Sequence, residues 1–499
     1  MASSEYEVRL KKLRLLRDLG VDYPYRYETT HSIDDLKGKF EEGLKVRIAG
    51  RVLTKRPFGK LIFSHLRGEY EDIQIMVQRG RTPEDFFVGL DLNRYGGSKN
   101  PAKMYEKLID IGDIVGVEGE TIRTKTGEPT VLVQKLTLLA KSLHPLPEKW
   151  HGIQDPELKY RQRYLYLISN LEARKHFYRR YIFLKETRRF FEDRGFIELE
   201  TPILQPIYGG ATARPFKTYS NALETDLYLR IATELSLKKL LVGGFSRIYE
   251  IGKNFRNEGI DATHYPEFTA LEAYAAYWDY NDVMDLTEEY FNAMVKVLTG
   301  GEEFEFRGKR INARRPFKRV SFVDALNERL GFDVLKAPYE RLMEVTRREG
   351  IKVKNPTRAK LYDKLFDHFV GEHLTDPTFV IDHPVELSPF ARKHRERDGV
   401  VERFELFVAG MEVANAFSEL NDPLDQKGRL LEEVELRKVA KDEELPEDVD
   451  WDFIAALEYG MPPTGGLGLG LDRIFMLITG SENIRDVIPL PVLRPKEEQ

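Results

Sequence analysis

The stretches SRIYEIGKNFRNEG (246–259) and EFTALEAYAAY (267–277), joined by the short loop 260–266, decide the fold. Both run at a strand's period, and so brief a connection suits antiparallel neighbours. Arg256 and Glu258 share a parity on the first run, and Phe268, Glu272 and Tyr274 share one on the second. Each set can therefore face one side of a sheet. Upstream, GFIELETPIL (195–204) sets Phe196, Glu198 and Glu200 against Ile197, Leu199 and Thr201, a period-2 strand ended by Pro202. Helical sequence leads into it and stops at Gly195. Downstream, residues 300–400 mix helices and loops. RFELFVAGMEVANAFSEL (403–420) then reads as a strand-like run, 424–443 as a charged helix, and GGLGLGLDRIFMLI (465–478) as glycines before an Asp-Arg helix. Strands grouped into hairpins outside βαβ spacing imply an α+β domain with an antiparallel sheet flanked by helices.

The N-terminal part has a different texture. Residues 5–19 read as a short charged helix with Leu10, Leu13 and Leu16 three apart and Gly20 as its stop. From 44 to 140 come KVRIAGRVL, KLIFSHL, DIQIMVQ, DIVGVEGE and PTVLVQKLTLL, separated by turn residues. Five short strands with a helix-sized gap at 83–108 suit a small Greek-key barrel of the OB-fold type. HPLPEKWHGIQDP (144–156) is rich in Pro and turn residues and reads as a linker. The expected organisation is an N-terminal helical segment (1–43), a barrel (44–143), a linker (144–165) and an α+β domain (166–499) with a helical insertion at about 300–375.

Composition narrows the chemistry. The chain has 499 residues, 77 Lys+Arg against 82 Asp+Glu, a net charge of −5, 41% hydrophobic and 32% charged residues, and no cysteine. Disulfides, thiolate zinc sites, iron–sulfur clusters and a cysteine nucleophile are excluded. The first twenty residues carry Glu5, Glu7 and Asp18 and have no apolar core, so they read as neither a secretory signal nor a transit peptide. No stretch approaches the ~18 apolar residues of a membrane span, and a cytoplasmic protein is expected.

Net charge hides a local patch. Residues 44–68 hold Lys45, Arg47, Arg51, Lys55, Arg56, Lys60 and Arg67 without a single acid, with Phe58 and Phe63 among them. Cations neutralise phosphates and rings stack bases, which makes a single-strand binding face. The plainer alternative, a solvated strand face with Phe63 in the core, has equal weight here. In the hairpin, an Arg256 fork could hold a phosphate and a carboxylate together and Phe268 could stack a nucleobase. Cross-strand ion pairs are the commoner use of such residues. Glu405 and Glu412 fall seven apart, which puts them on opposite faces of an ideal strand, so a shared Mg²⁺ site would require a bulge or bend. The glycines of 465–470 match neither a phosphate-binding P-loop nor a full dinucleotide fingerprint.

Together these segments resemble a known family. GFIELETP, FRNEGIDATHYPEF and GLGLGLDRIF are similar to motifs 1, 2 and 3 of the class II aminoacyl-tRNA synthetases, in order. HGIQDPELKYRQRYLYLI, the GG-ATARPF run, LYLRIATELSLKKLLVGGF and ANAFSELNDP resemble the lysyl-tRNA synthetases in particular. The resemblance implies that Arg256 bridges a lysine carboxylate and the α-phosphate of ATP and that Phe268 stacks on adenine, with Glu258 and His264 around the nucleotide. Arg473 would clamp the γ-phosphate, and Glu405 and Glu412 would hold Mg²⁺. Glu234 and Glu419 would receive the lysine ε-ammonium, helped by Tyr274, Asn415 and Phe417; Gly210 and Glu272 would hold the α-amino group. In the barrel, Arg56, Phe63 and Glu128 would meet the anticodon of tRNA(Lys). A homodimer with motif 1 at its interface is implied as well.

Three positions depart from the family pattern: Tyr265 where Asn is usual, Ser236 where Tyr is usual, and IPLPVLRP (488–495) near the end. None removes a catalytic group. The rivals are an aspartyl- or asparaginyl-tRNA synthetase, which needs cations where Glu234 and Glu419 stand; the lysyl-tRNA-synthetase-like enzyme that modifies elongation factor P, which lacks the barrel that residues 44–140 imply; and a noncatalytic tRNA-binding paralogue, which would be expected to have lost at least one of Arg256, Glu405, Glu412 and Arg473.

Overall fold

The computed structural model describes residues 2–146 and 156–495, so most of the 144–156 linker stretch lies outside the described residues. The chain divides into two units, Met1–Lys175 and His176–Gln499, a division downstream of that stretch.

The first unit is built on strands β1 (Lys45–Val52), β2 (Arg56–Phe58), β3 (Leu61–Arg67), β4 (Asp72–Gln78), β5 (Ile114–Arg123) and β6 (Pro129–Ala140). They hydrogen-bond in the order β1-β5-β6-β4-β3-β2, and β1 also pairs with β3, which closes the barrel. The pleat explains the filling: β3 turns Ile62, Ser64 and Leu66 inward and Leu61, Phe63 and His65 outward. Val46, Ile48, Ile75, Val117 and Val133 complete the interior. Each fully buried side chain of this size contributes about 1.5–3 kcal/mol of transfer free energy. The expected gap carries the helix Pro101–Leu108, capped by the Asn100 side chain, and its Tyr105 hydroxyl donates to Ser64 Oγ (2.9 Å) inside the barrel. β2, three exposed residues paired with β3, has no period to betray it.

The second unit holds β7 (Ile197–Glu198), β8 (Leu204–Gln205), β9 (Lys217–Ser220), β10 (Thr225–Leu229), β11 (Arg247–Phe255), β12 (Glu267–Ala276), β13 (Glu303–Phe306), β14 (Lys309–Asn312), β15 (Lys318–Ser321), β16 (Thr378–Pro384), β17 (Val400–Val408), β18 (Met411–Ser418) and β19 (Thr464–Leu469). Eight of them form one sheet in the order β15-β16-β17-β18-β19-β12-β11-β7. Its six central strands are antiparallel; the outermost pairs, β15·β16 and β7·β11, are parallel. Helices Leu171–Glu192, Tyr280–Thr299 and Leu471–Ile478 supply Phe183, Phe191, Tyr290 and Phe475 to the core behind the sheet, where Phe191 stacks on Tyr249 of β11 at 5.4 Å.

Three expectations are corrected. GFIELETPIL does not form one strand: it holds the two-residue β7 and the first residue of β8, and between them the Glu250 carboxylate takes the Thr201 N–H (3.0 Å) and Pro202 has none to offer a ladder. Residues 403–420 are a hairpin, β17 and β18, turning at Ala409 and Gly410, both at positive φ (51° and 76°). The 300–375 insertion opens with the β13–β14 hairpin and contributes β15 to the main sheet before its helices Phe322–Leu330, Tyr339–Arg348 and Arg358–Phe369 pack around Leu326, Leu342, Leu361 and Leu365.

Candidate active site

The sheet's other face, over β11, β12, β18 and β19, opens into a cavity of about 470 Å³. Register explains who lines it. In β11–β12, Asn254 faces Phe268 and Glu250 faces Glu272; in β18–β19, Asn415 faces Gly468 and Phe417 faces Gly466. The glycines of β19 are needed for room, since a Cβ at Gly466 would collide with Glu419 Oε1 and approach Tyr274 Cε1 at 2.7 Å. Arg256, Glu258, His264, Phe268, Glu405, Glu412, Arg473, Gly210, Glu234, Glu272, Tyr274, Asn415, Phe417 and Glu419 all line this one cavity.

One half is basic and acidic by turns. Arg256 continues the hairpin through its N–H to Pro266 O (2.8 Å), lays its guanidinium over Phe268 at 5.1 Å, and donates Nε weakly to Ile231 O (3.4 Å). Among the described residues it makes no ion pair, so the ion-pair-laced hairpin is not what formed; the salt bridge found across β11–β12 among them is the loose Lys253–Glu267 contact of 3.9 Å. Arg473, at the start of its helix, donates to Glu412 O (3.0 Å) and Thr263 O (3.3 Å), which ties helix, strand and loop together. Glu258 and His264 stand at the exposed rim, His264 Nδ1 against Asp261 Oδ2 at 2.8 Å.

The bulge that Glu405 and Glu412 required exists, on the hairpin rather than within one strand. Leu406 pairs with Ala414 and Phe407 with Glu412, so the extra residue Val413 returns Glu412 to the face of Glu405. Burial works to raise the Glu405 carboxyl, but Arg403 (2.6 Å) and then His383 (3.3 Å) hold it down at about 2. Burial and then Glu405 push the Glu412 carboxyl up. Among the described residues no third His, Cys, Asp or Glu completes a metal cage. Two hard carboxylates in a cleft fit Mg²⁺ that brings phosphate oxygens as its other ligands.

The other half is a carboxylate pocket. Glu234 opens the helix Glu234–Val242, Glu419 follows β18, and Glu272 stands on β12. Glu272 accepts from Thr233 N (3.0 Å) and Tyr274 Oη (3.1 Å); burial, then Glu234, raise its carboxyl to about 7. Sequence reasoning missed Lys238, whose ammonium is wholly buried between Glu234 Oε1 (2.5 Å) and Glu419 Oε2. Its i,i+4 spacing from Glu234 was visible; its burial was not. Arg403 was missed too, and it holds Asn415 Oδ1 (2.9 Å) as well as Glu405.

Two departures from the family pattern meet in space. Tyr265 is buried, and its hydroxyl donates to Val492 O (3.0 Å) and accepts from Val492 N (2.5 Å). Ser236 receives only Gln205 Nε2 at 3.5 Å.

In the barrel, Phe63 is not core: it faces outward, half-buried, opposite Arg56 and edge-on to Phe58 at 6.0 Å. The seven-cation patch is smaller than its sequence suggests. Arg47 sits against Glu118 (3.6 Å), Arg51 on Gly112 O (2.8 Å), Lys55 on Glu106 O (2.5 Å) and Arg67 on Asp72 (2.8 Å). Lys45, Arg56 and Lys60 remain exposed, and the Glu128 carboxylate lies 3.5 Å from Lys37 Nζ.

Comparison with known proteins agrees with this geometry. The model of tRNA synthetases class II (D, K and N) matches residues 155–494, and that of the OB-fold nucleic acid binding domain matches 46–139. A lysine–tRNA ligase of Thermotoga maritima is 48% identical over 98% of this chain and 96% of its own. One from Aquifex aeolicus is 49% identical over 91% and 74%, and lysine–tRNA ligase 2 of Methanosarcina acetivorans is 46% identical over 98% and 94%. With residues 155–494 and 46–139 each matched and a near full-length likeness to these relatives, the chain belongs to the class II tRNA synthetases, in the lysine–tRNA ligase family.

Proposed function

We propose that this enzyme activates L-lysine with ATP to lysyl-adenylate and then transfers the lysyl group to the 3′ end of tRNA(Lys). The observation that carries the reading is Arg256, a guanidinium without an ion pair among the described residues, which lines the same cavity as Glu234, Glu272 and Glu419 and as Arg473, Glu405 and Glu412.

No general base is required for the first step, because an amino-acid carboxylate with a pKa near ~3.5 is already ionised at neutral pH. The obstacle is repulsion between that carboxylate and the triphosphate. Arg256 would bridge the carboxylate and the α-phosphate, Arg473 would hold the γ-phosphate, and Phe268 would stack the adenine, with Glu258 and His264 at the rim. Mg²⁺, held by Glu405 and Glu412, would neutralise phosphate charge. A lysine carboxylate oxygen bonds to the α-phosphorus as its bond to the bridging oxygen breaks, and pyrophosphate leaves. The terminal ribose hydroxyl of the tRNA then takes the acyl group and AMP departs. Positioning and charge neutralisation supply the rate, as in phosphoryl transfer generally.

Selection for lysine would rest on Glu234 and Glu419, with Tyr274, Asn415 and Phe417 around the ε-ammonium and Gly210 and Glu272 at the α-amino group. A neutral isostere would leave buried carboxylates unpaired. Aspartate or asparagine would meet carboxylates where it needs donors. Arg56, Phe63 and Glu128 would read the anticodon from the barrel. No described helix is long and apolar enough to cross a membrane, and a cytoplasmic enzyme is proposed. A homodimer is proposed on the exposed Ile197 (54%) of motif 1 and Tyr178 and Tyr181 on the helix before it. ATP–pyrophosphate exchange with each standard amino acid tests the assignment: exchange with lysine is expected, and exchange with aspartate or asparagine but not lysine would sink it.

A further inference from the structure

Lys238 stands where a substrate ammonium is expected to sit nearby, and its surroundings are built for a cation. Its side chain has no exposure at all. Its Nζ lies against one oxygen of Glu234 and one of Glu419, 5.0 Å from the centre of the Phe390 ring and 5.4 Å from that of Phe417. Two carboxylates and two ring faces around one ammonium make a complete cation box. The partner oxygens tell the rest. Glu419 Oε1 is buried with no hydrogen-bond partner, and lies on the side that only a glycine at 466 leaves open. Glu234 Oε2 lies 3.7 Å from where a Cβ at Gly210 would be, another glycine of the cavity wall. Each carboxylate thus gives one oxygen inward to Lys238 and keeps the other beside a glycine-lined space.

Charge counting gives this arrangement a purpose. The pocket gathers Glu234, Glu272 and Glu419, with Glu433 also on its wall beside Glu234, against the single ammonium of Lys238. Carboxyl groups outnumber ammonium groups in the empty pocket, and a lysine substrate brings two ammonium groups, its carboxylate being left to Arg256. We propose that Lys238 is a specificity-determining positioning residue: a fixed internal cation that aims Glu234 and Glu419, so that their outer oxygens receive the substrate's ε-ammonium. The inference rests on the reading of Glu234 and Glu419 as the ε-ammonium receivers. Without Lys238, the crowded carboxyl groups of this dry pocket would hold a proton more tightly, and lysine would have to displace it in order to bind.

The test is pyrophosphate exchange by the full-length enzyme across pH 6–9. Lys238→Met, close in volume and uncharged, should raise the KM for lysine by 10-fold or more and leave the KM for ATP within about 2-fold. It should also move the acid limb of kcat/KM for lysine upward by about one pH unit, which a merely structural lesion would not do. Lys238→Arg keeps the charge but presents a planar fork; it should keep the acid limb in place while raising the lysine KM several-fold. An unmoved acid limb in Lys238→Met, or a parallel rise in both KM values, would overturn the proposal. Should Lys238→Met fail to fold, Lys238→Arg decides alone, and a wild-type lysine KM in it would overturn the proposal. Glu419→Gln separates the two layers. If it leaves the lysine KM unchanged, the underlying reading fails; if it raises KM while Lys238→Met does not, only the role of Lys238 fails.

Discussion

Replacing Glu419 with Gln separates function from stability, because the two should move in opposite directions. Glu419 is 2% exposed, with Lys238 on one oxygen and nothing on the other. Burial lifts its carboxyl well above the usual range, and although Lys238 counters this, Glu234 and Glu272 add to it. In the empty site, ionising this carboxyl is therefore costly. An amide of the same shape resembles the protonated form, so Glu419→Gln should unfold no more easily than the parent at neutral pH. Substrate binding should suffer. A charge-assisted hydrogen bond is worth about 1.5–3 kcal/mol, and losing one partner of a buried charge pair costs about 2–5 kcal/mol. A middle value of about 3 kcal/mol corresponds to about 10²-fold at 1.4 kcal/mol per decade. The ε-ammonium is remote from the reacting carboxylate, so its contact is the same in ground and transition states. The loss should fall on the KM for lysine and spare kcat. The assay is ATP–pyrophosphate exchange against lysine concentration at fixed ATP, then against ATP at fixed lysine, with thermal unfolding of the same preparations. A change in lysine kcat/KM below about 5-fold, or an equal rise in the ATP KM, would refute the reasoning.

Further perturbations address the rest of the site. Arg256→Lys keeps a charge but loses the two-pronged fork, so kcat for exchange should drop by about 10²-fold. Folding should be unchanged, since Arg256 has no ion pair to lose; an active variant would remove it from the chemistry. Phe63→Ala should cost about 1–3 kcal/mol of stacking in tRNA charging and leave pyrophosphate exchange intact. Equal loss of both would make Phe63 structural. Glu272 has a folded value raised from 4.5 to about 7, so the folded state holds its proton longer. Its contribution to stability is complete below 4.5 and is lost as pH rises through 7, by up to about 3 kcal/mol. A bound α-ammonium favours the carboxylate, so the lysine KM should fall as pH rises through 7, and Glu272→Gln should flatten that slope. Tyr265→Phe removes both hydrogen bonds to Val492 and should lower stability by about 1–2 kcal/mol in denaturant titration without moving the lysine KM.

What the sequence made legible follows the physics of periodicity. The β11–β12 hairpin, the barrel strands and the helix at 101–108 are local patterns, and local patterns survive without knowledge of neighbours. Parity alone placed Phe268, Glu272 and Tyr274 on one side of a strand, and all three line the cavity. What failed depended on distant partners. Nothing within GFIELETPIL says that the Glu250 carboxylate will take the Thr201 N–H. Nothing within 403–420 separates a long strand from a hairpin except Ala409 and Gly410, and a non-Gly residue at positive φ is invisible in sequence. Lys238 reads as one more solvated helix cation until its helix is docked.

The same contrast governs how the charges work. Counting cations in residues 44–68 found seven, but a cation's use depends on what already holds it. Arg47, Arg51, Lys55 and Arg67 have partners within the barrel, and Lys45, Arg56 and Lys60 remain. In the catalytic unit the logic inverts: Lys238 is wholly engaged, and its engagement is what leaves one oxygen of Glu419 free. Phosphate contacts release counterions and weaken with salt, whereas a buried ion pair is barely screened. Raising salt from 50 to 200 mM should therefore weaken tRNA binding by a slope set by about three cations rather than seven, while the lysine KM stays nearly constant. A slope near seven would mean that the ion pairs of Arg47 and Arg67 and the carbonyl contacts of Arg51 and Lys55 all open on binding RNA.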